Sequence, residues 1–304
     1  LTFPIKLRHL EAFVEVARQR SVQKAAHALH VSQPAVTKTM RELEESLNVT
    51  LYEREGRGIR LTNQGEVFLR HAGAALVSVR QGLDSVSDGR AGELQPIRVG
   101  ALPTVSSLIM PRAIELFLQD QPERRVRIVT GENAAILEQL RQGELDLVVG
   151  RLAATELMVG LSFEHLYSEA VRFVVRPGHP LSRASGSVLE RIVDHLVLMP
   201  PPASIIRPYV DRLLIANGVH AVPRQIETVS DAFARAFLRT SDAVWIISAG
   251  VVANDLTDGA LVALPVDTTQ TLGPVGLTMR ADGPLRPGTE LLARAIRAAS
   301  RQSA

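Results

Sequence analysis

The sequence predicts a helical N-terminal unit carrying one small β-hairpin, followed by a linker and an α/β domain in two halves. Three observations carry this expectation. Apolar residues recur at helix spacing through residues 1–90, with one break at 50–61. Short β-like runs alternate with helical stretches through residues 96–304. Between them, Asp88-Gly89-Arg90-Ala91-Gly92-Glu93 holds two glycines and three charges, the composition of a hinge.

Composition bounds the rest. The 304 residues are 46% hydrophobic, 22% charged and 4% aromatic, which supplies a core for about two or three domains and excludes a mostly disordered chain. No apolar run approaches the roughly 20 residues that cross a bilayer, so no membrane partner is expected. Leu1 to Glu11 alternates apolar with charged residues and does not read as a secretory signal, so the expected location is cytoplasmic. There are no cysteines, which excludes disulfides, cysteine zinc sites and cysteine nucleophiles. The net charge of +2 does not by itself mark a nucleic-acid binder. Residues 1–65, with ten basic and seven acidic side chains, carry +3, which matters only where the cations share a face.

In order along the chain, Leu7, Leu10, Phe13, Val14 and Ala17 predict a first amphipathic helix. Ser21 is a good N-cap for a second, with Val22, Ala25, Ala26 and Leu29 on its inner face. His30-Val31 then interrupts, and histidine tolerates the positive φ of a tight turn. Ser32 caps a third helix whose first turn holds Pro34, where the missing N–H does little harm. Val36, Met40, Leu43 and Leu47 form its core stripe. Pro34, Thr37, Lys38 and Arg41 lie opposite, with Gln33 at the tip, while Glu42, Glu44 and Glu45 follow further on. The Glu44-Glu45 pair reads as a solvated face rather than an acid/base dyad. A helix entering a major groove needs this order: base-reading amides and cations at the entering end, anions kept from phosphate.

Two short β segments, Leu51-Tyr52-Glu53-Arg54 and Ile59-Arg60-Leu61-Thr62, flank the turn Glu55-Gly56-Arg57-Gly58. This hairpin offers Arg54, Arg57 and Arg60 to phosphates and completes a winged helix-turn-helix over residues 1–61. Thr62 or Asn63 caps a fourth helix, Asn63 with Glu66 having capping-box spacing. Within it Ala72, Leu76, Val79, Leu83 and Val86 make an a/d seam of about two heptads, suited to a second copy or to the protein's own domain. Residues 62–95 are therefore expected to be a dimerising linker and hinge.

Residues 96–304 read as α/β. Strands are expected at Ile97–Leu102, Val126–Val129, Leu145–Gly150, Ala170–Val175, Leu196–Met199, Val244–Ile247 and Gly276–Met279. Helices are expected at Ser106–Leu118, about Ala134–Gln142, about Tyr209–Ala216 and about Thr289–Arg301. The expected lobes are about 96–168 with 268–304, and about 169–267. Two such halves imply a crevice for a small molecule. Hydroxyls at Thr104, Ser106 and Ser107, where a helix begins after the first strand, suit an anion as well as simple capping. Ser204, after a run of prolines, is a second anion-binding candidate. Arg151 and Arg207 are candidates for pairing with carboxylates, with surface ion pairing as the alternative, and Ser230 is a helix cap facing the cleft. Trp245 lies in an apolar run and reads as core. The eight histidines show no metal-ligand spacing, and no G-x-S-x-G or P-loop phrase occurs, so no metal, cofactor or catalytic residue is expected.

The stretch Ala25-Ala26-His27-Ala28-Leu29-His30-Val31-Ser32-Gln33-Pro34-Ala35-Val36-Thr37-Lys38 resembles the helix-turn-helix of LysR-type transcriptional regulators. Leu43-Glu44, Leu51-Tyr52-Glu53-Arg54, Leu61-Thr62-Asn63-Gln64-Gly65, Gly143-Glu144-Leu145-Asp146-Leu147 and Gly178-His179-Pro180-Leu181 extend the resemblance over essentially the whole chain. Tyr52 stands where phenylalanine is usual, and Asn63-Gln64 where the family is more alanine-like. Ala101-Leu102-Pro103-Thr104 and Met199-Pro200-Pro201-Pro202 look most like regulators of protocatechuate catabolism and of sugar-binding-protein expression.

The resemblance implies that Ser32, Gln33, Pro34, Thr37 and Lys38 face double-stranded DNA at a promoter dyad, and that Thr104 touches an effector. It implies a homodimer assembling to a homotetramer, a C-terminal domain with the fold of periplasmic solute-binding proteins, and an activator that contacts RNA polymerase under control of a small organic acid, such as an intermediate of aromatic catabolism. Among these residues Gln33 and Pro34 suit base contacts, while Thr37, Lys38 and Arg54 suit phosphates. The alternatives are a repressor without ligand control, or a binding protein or enzyme using the cleft.

Overall fold

The computed structural model describes residues 4–56, 58–87, 95–183, 187–281 and 285–302. Arg57 and the hinge 88–93 lie outside the described residues, as does the side chain of Val86. The chain forms two compact units, one of Leu1–Gln95 with Arg141–Glu144, the other of Pro96–Leu140 with Leu145–Ala304.

The first unit runs α1 (Leu7–Gln19), α2 (Val22–Ala28), α3 (Gln33–Leu47), β1 (Tyr52–Glu55), β2 (Gly58–Leu61) and α4 (Asn63–Ser87). Its core joins Ala12, Phe13 and Val16 to Ala25, Ala26, Val36, Met40, Leu43, Leu51, Ile59 and Ala72. Phe13 packs on Phe68 of α4 with ring centroids 5.3 Å apart. The buried stripe of α1 differs from the expected one: His9, Ala12, Phe13 and Val16 are buried, while Leu7 is 43% exposed. Burial of a histidine here is tolerable because both ring nitrogens have partners. Lys6 N–H approaches Nδ1 at 3.3 Å, and Nε2 lies 3.3 Å from Glu42 Oε2.

The helix starts follow their caps. Ser21 Oγ accepts from Lys24 N–H and Ser32 Oγ from Ala35 N–H. His30, at φ 56°, makes the left-handed turn between α2 and α3. Thr62, not Asn63, caps α4: its Oγ1 accepts from Gly65 N–H at 3.0 Å, and Asn63 is already helical. Gly65 must lack a side chain, because a Cβ there would collide with the Leu51 carbonyl. The α4 seam is divided. Ala72 is buried in this unit's own core, whereas Val79 and Leu83 are 43% and 65% exposed.

The second unit runs β3 (Ile97–Ala101), α5 (Pro103–Ser106), α6 (Ile109–Asp120), β4 (Val126–Val129), α7 (Asn133–Arg141), β5 (Leu147–Arg151), β6 (Leu161–Glu169) and β7 (Val171–Val175). It continues with α8 (Val188–Arg191), β8 (Val197–Met199), α9 (Arg207–Ala216), β9 (Gln225–Glu227), α10 (Asp231–Leu238), β10 (Val244–Ser248), α11 (Ala249–Thr257), β11 (Val262–Ala263), β12 (Gly273–Arg280) and α12 (Pro287–Gln302).

Two five-stranded sheets result. One has order β4-β3-β5-β12-β6, the other β11-β7-β10-β8-β9. In each, three strands are parallel neighbours and a returning strand pairs antiparallel. The chain therefore crosses between sheets twice, at Ala170 and between Ala263 and Gly273. Each sheet has its own apolar core, around Val99, Leu147, Val149 and Leu277 in one and Phe173, Val197 and Ile246 in the other. Trp245 is buried in a smaller cluster with Val174 and Leu198.

The helix expected at Ser106–Leu118 is two helices. Pro111 sits in the first turn of α6, and its ring and missing N–H forbid a continuous helix through Ser107. Strand β6 was not expected from the sequence. It is an edge strand of mixed polarity, LSFEHLYSE, without the apolar run that marks a covered strand.

Candidate functional site

On α3 the residues expected to meet DNA are exposed: Ser32, Gln33, Pro34, Thr37, Lys38 and Arg41. Ser32 and Thr37 are also occupied locally, Ser32 as cap and Thr37 through its hydroxyl on the Gln33 carbonyl at 3.0 Å. Arg41 Nε donates to Glu45 at 3.0 Å. Arg54 is exposed on the wing, and Arg60 lies between Glu53 and Glu55 at 3.4 and 3.6 Å.

The acids of α3 do more than face solvent. Glu44 Oε1 accepts the Leu51 N–H at 2.7 Å and so ties the wing's first strand to the reading helix. Glu42 gathers Arg8 at 3.0 Å, His9 at 3.3 Å and Lys38 at 4.0 Å. The Arg8 hydrogen bond leads in holding its carboxyl below the usual range. These roles were not read from the sequence. The Leu43-Glu44 phrase marked the position, but only the register of α3 against β1 shows what Glu44 holds.

In the second unit a cavity of about 420 Å³ lies between the two sheets' lobes. It opens beyond the carboxyl ends of the parallel strands β3, β4, β8, β9 and β10, where crevices of α/β sheets bind ligands. Thr104, Ser106 and Ser204 line it, together with Thr130, Thr228 and Ser248, which the sequence reading missed. Those three share a weak signal: hydroxyl residues at or directly after the end of a strand. Ile205, Ile206, Val229, Ile247 and Val251 supply apolar wall, and Glu132 and Asp231 the acidic groups.

The other candidates stand elsewhere. Ser107 is not among the lining residues, and its carbonyl accepts from Asn254 at 3.1 Å. Ser230 caps α10, accepting the Phe233 N–H at 3.2 Å. Arg207 is spoken for by the Pro200 carbonyl, Glu227 and Asp211, all within 2.9 Å. Arg151 is 2% exposed and is not among the cavity's lining residues. Its Nη2 donates to the carbonyls of Glu169 and of Thr271, the latter at 2.7 Å, and its guanidinium lies 5.0 Å over the Tyr209 ring. Burial pushes its pKa down. Among the described residues no group of three or more acidic, histidine or cysteine side chains is placed to hold a metal. No described helix is long and apolar enough to cross a membrane.

Comparison with known proteins decides what this pairing of units is. The family model of the bacterial regulatory helix-turn-helix protein, lysR family, matches residues 7–66, and that of the LysR substrate binding domain matches residues 90–301. The chain belongs to the LysR family of transcriptional regulators. It is 63% identical over 296 residues to the HTH-type transcriptional regulator PcaQ of Agrobacterium fabrum, covering 97% of this chain and 95% of that one. It is 38% identical to the uncharacterized HTH-type transcriptional regulator YdcI of Escherichia coli, covering 96% and 95%. Full-length OxyR from Pseudomonas aeruginosa has the same fold, with a TM-score of 0.65 at 23% identity over 96% of this chain and 97% of that one. So does full-length CbnR in complex with its target DNA, with a TM-score of 0.58 at 23% identity over 97% and 100%. As a LysR regulator the chain is a DNA-binding protein with an effector domain, not an enzyme.

Proposed function

We propose that this LysR regulator is an activator controlled by a small organic acid that binds between the lobes of residues 96–304. The observation that carries the reading is the cavity itself, ringed by hydroxyls at strand ends and walled by aliphatic side chains. Hydroxyls and the N-termini of α7, α10 and α11 suit a carboxylate, and the aliphatic wall suits an organic body such as an aromatic-catabolism intermediate. The narrowed effector set is Thr104, Ser106 and Ser204, with Thr130, Thr228 and Ser248. Arg151, Arg207, Ser107 and Ser230 are not among the lining residues.

DNA reading is assigned to Gln33 and Pro34 for bases, and to Ser32, Thr37, Lys38, Arg41, Arg54 and Arg57 for backbone contacts. The exposed Val79 and Leu83 on α4 support self-association through that helix, giving the homodimer that assembles to a homotetramer on a promoter dyad and contacts RNA polymerase. Calorimetric titration of a panel of organic acids and sugars into the wild-type protein and into Thr104→Val tests the effector reading. One acid should bind the wild type and lose at least tenfold in affinity for the variant, equivalent to about 1.4 kcal/mol. Equal affinity for both proteins would remove Thr104 from the site.

A further inference from the structure

The two lobes touch each other directly along one side of the cavity, through bonds that ligand contact does not explain. The contact begins where the chain passes between the sheets. Arg151, at the end of β5, donates through Nη2 to the Glu169 carbonyl at the first crossing and to the Thr271 carbonyl just before β12 at the second. Thr271 Oγ1 accepts the Val171 N–H at 2.9 Å and donates to the Thr268 carbonyl at 2.7 Å. The two crossings are thus fastened to one another.

From there the contact runs outward between α5 of one lobe and α11 of the other. The Gly250 N–H, in the first turn of α11, donates to Glu169 Oε2 at 3.1 Å. Thr104 Oγ1 lies 3.4 Å from Ser248 Oγ. One turn further along α11, Asn254 Nδ2 donates to the Ser107 carbonyl at 3.1 Å. Gly250 is what lets the two backbones come so near, because a Cβ there would collide with the Thr104 carbonyl. Thr104, Glu169, Ser248 and Gly250 are all buried, so water does not compete for these bonds. The cavity therefore has a sealed floor, at Thr104, Ser248 and Val251. Its exposed lining is Pro103, Thr130, Gly131 and Glu132 from one lobe and Ala203 and Val229 from the other.

We propose that the α5–α11 contact is a permanent clasp: the lobes do not hinge apart to admit a ligand, which enters past the exposed rim onto a floor already set. Glu169 and Gly250 are its positioning residues, and they act on the ligand through Thr104 and Ser248. Parting the lobes on this side would give up the Glu169, Ser248 and Asn254 bonds together and wet the buried Val251. A ligand seated between Thr104 and Ser248 disturbs only the longest of those three bonds. Such a site is preorganised, since no lobe closure has to be driven by binding. The proposal rests on the effector reading of the cavity, but its test uses no ligand, so it can fail while that reading stands.

The test is hydrogen–deuterium exchange of the full-length, ligand-free protein, read at the Gly250 N–H and corrected for intrinsic rates, with α12 as reference. In the wild type Gly250 should exchange within about a hundredfold of the slowest α12 amides, because its bond opens only with the unit as a whole. Faster exchange than that overturns the proposal, since lobes that part let water reach the bond. Glu169→Leu removes the acceptor and should speed Gly250 by about tenfold or more while α12 does not change. Glu169→Gln keeps an accepting oxygen and should restore the wild-type rate. A Gly250 as slow in Glu169→Leu as in the wild type also overturns the proposal, because the Glu169 bond would then hold nothing. If Glu169→Leu does not fold, the wild-type rate decides by itself.

Discussion

At the scale of single residues, the exposed tip of α3 divides its labour. Gln33 can offer paired donor and acceptor atoms to one adenine, whereas the Lys38 ammonium is a point charge for phosphate. Gln33→Ala should therefore reduce discrimination between operator and random DNA by about 1–3 kcal/mol, measured by competition binding at fixed salt. Lys38→Ala should weaken both DNAs alike and lower the salt slope by about 0.9. Equal losses on both DNAs for Gln33→Ala would remove it from base reading. Glu169 carries a separate consequence for stability. Its folded pKa is raised, so its contribution is full below the ordinary carboxylate range and is lost as pH rises through about 7. Thermal unfolding should show wild type losing stability across that window relative to Glu169→Gln, by at most about 3 kcal/mol. Parallel pH profiles for the two proteins would contradict the shift. Of these residues Gln33 and Lys38 were legible in the sequence, because cap, turn and stripe fix which way they point. Glu169 was not, because its meaning depends on Gly250, 81 positions away.

At the scale of elements, short-range signals read well and long-range packing read poorly. Ser21 and Ser32 fix helix starts through one local bond each, and both serve as caps in the structure. The rotation of α1, by contrast, depends on α2, α3 and α4 packing around it, and His9 is buried only because Glu42 waits on another helix. The expected helix runs through Pro111, whose ring and missing N–H instead start a new helix and separate α5 from α6. The α4 helix gives the sharpest prediction at this scale. With Val79 and Leu83 exposed on the fold of one chain, Leu83→Asp should shift self-association toward smaller species by sedimentation velocity, with the far-UV spectrum unchanged. An assembly state identical to wild type would place the interface on another surface.

At the scale of the whole molecule, the fold class was legible because alternating strands and helices leave a periodic trace, and because the family phrases run from Ala25 to Leu181. The cavity was legible only in outline. Hydroxyls after strands are common, and the sequence alone does not separate Ser106, which lines the cavity, from Ser107, which does not. From sequence, Arg151 and Arg207 read either as partners for an effector carboxylate or as surface ion pairs; Arg207 forms ion pairs with Asp211 and Glu227, whereas Arg151 is committed to carbonyls of the protein itself. In the proposed function, DNA binding by one unit answers to a ligand in the other. Footprinting on the DNA upstream of the protein's own gene, at fixed moderate salt, with and without a panel of organic acids and sugars, tests it most directly. A dyad site should be protected to an extent that changes with one organic acid and no longer changes in Thr104→Val. A dyad protected identically with every compound, or protection absent where electrostatic binding alone has faded, would contradict it.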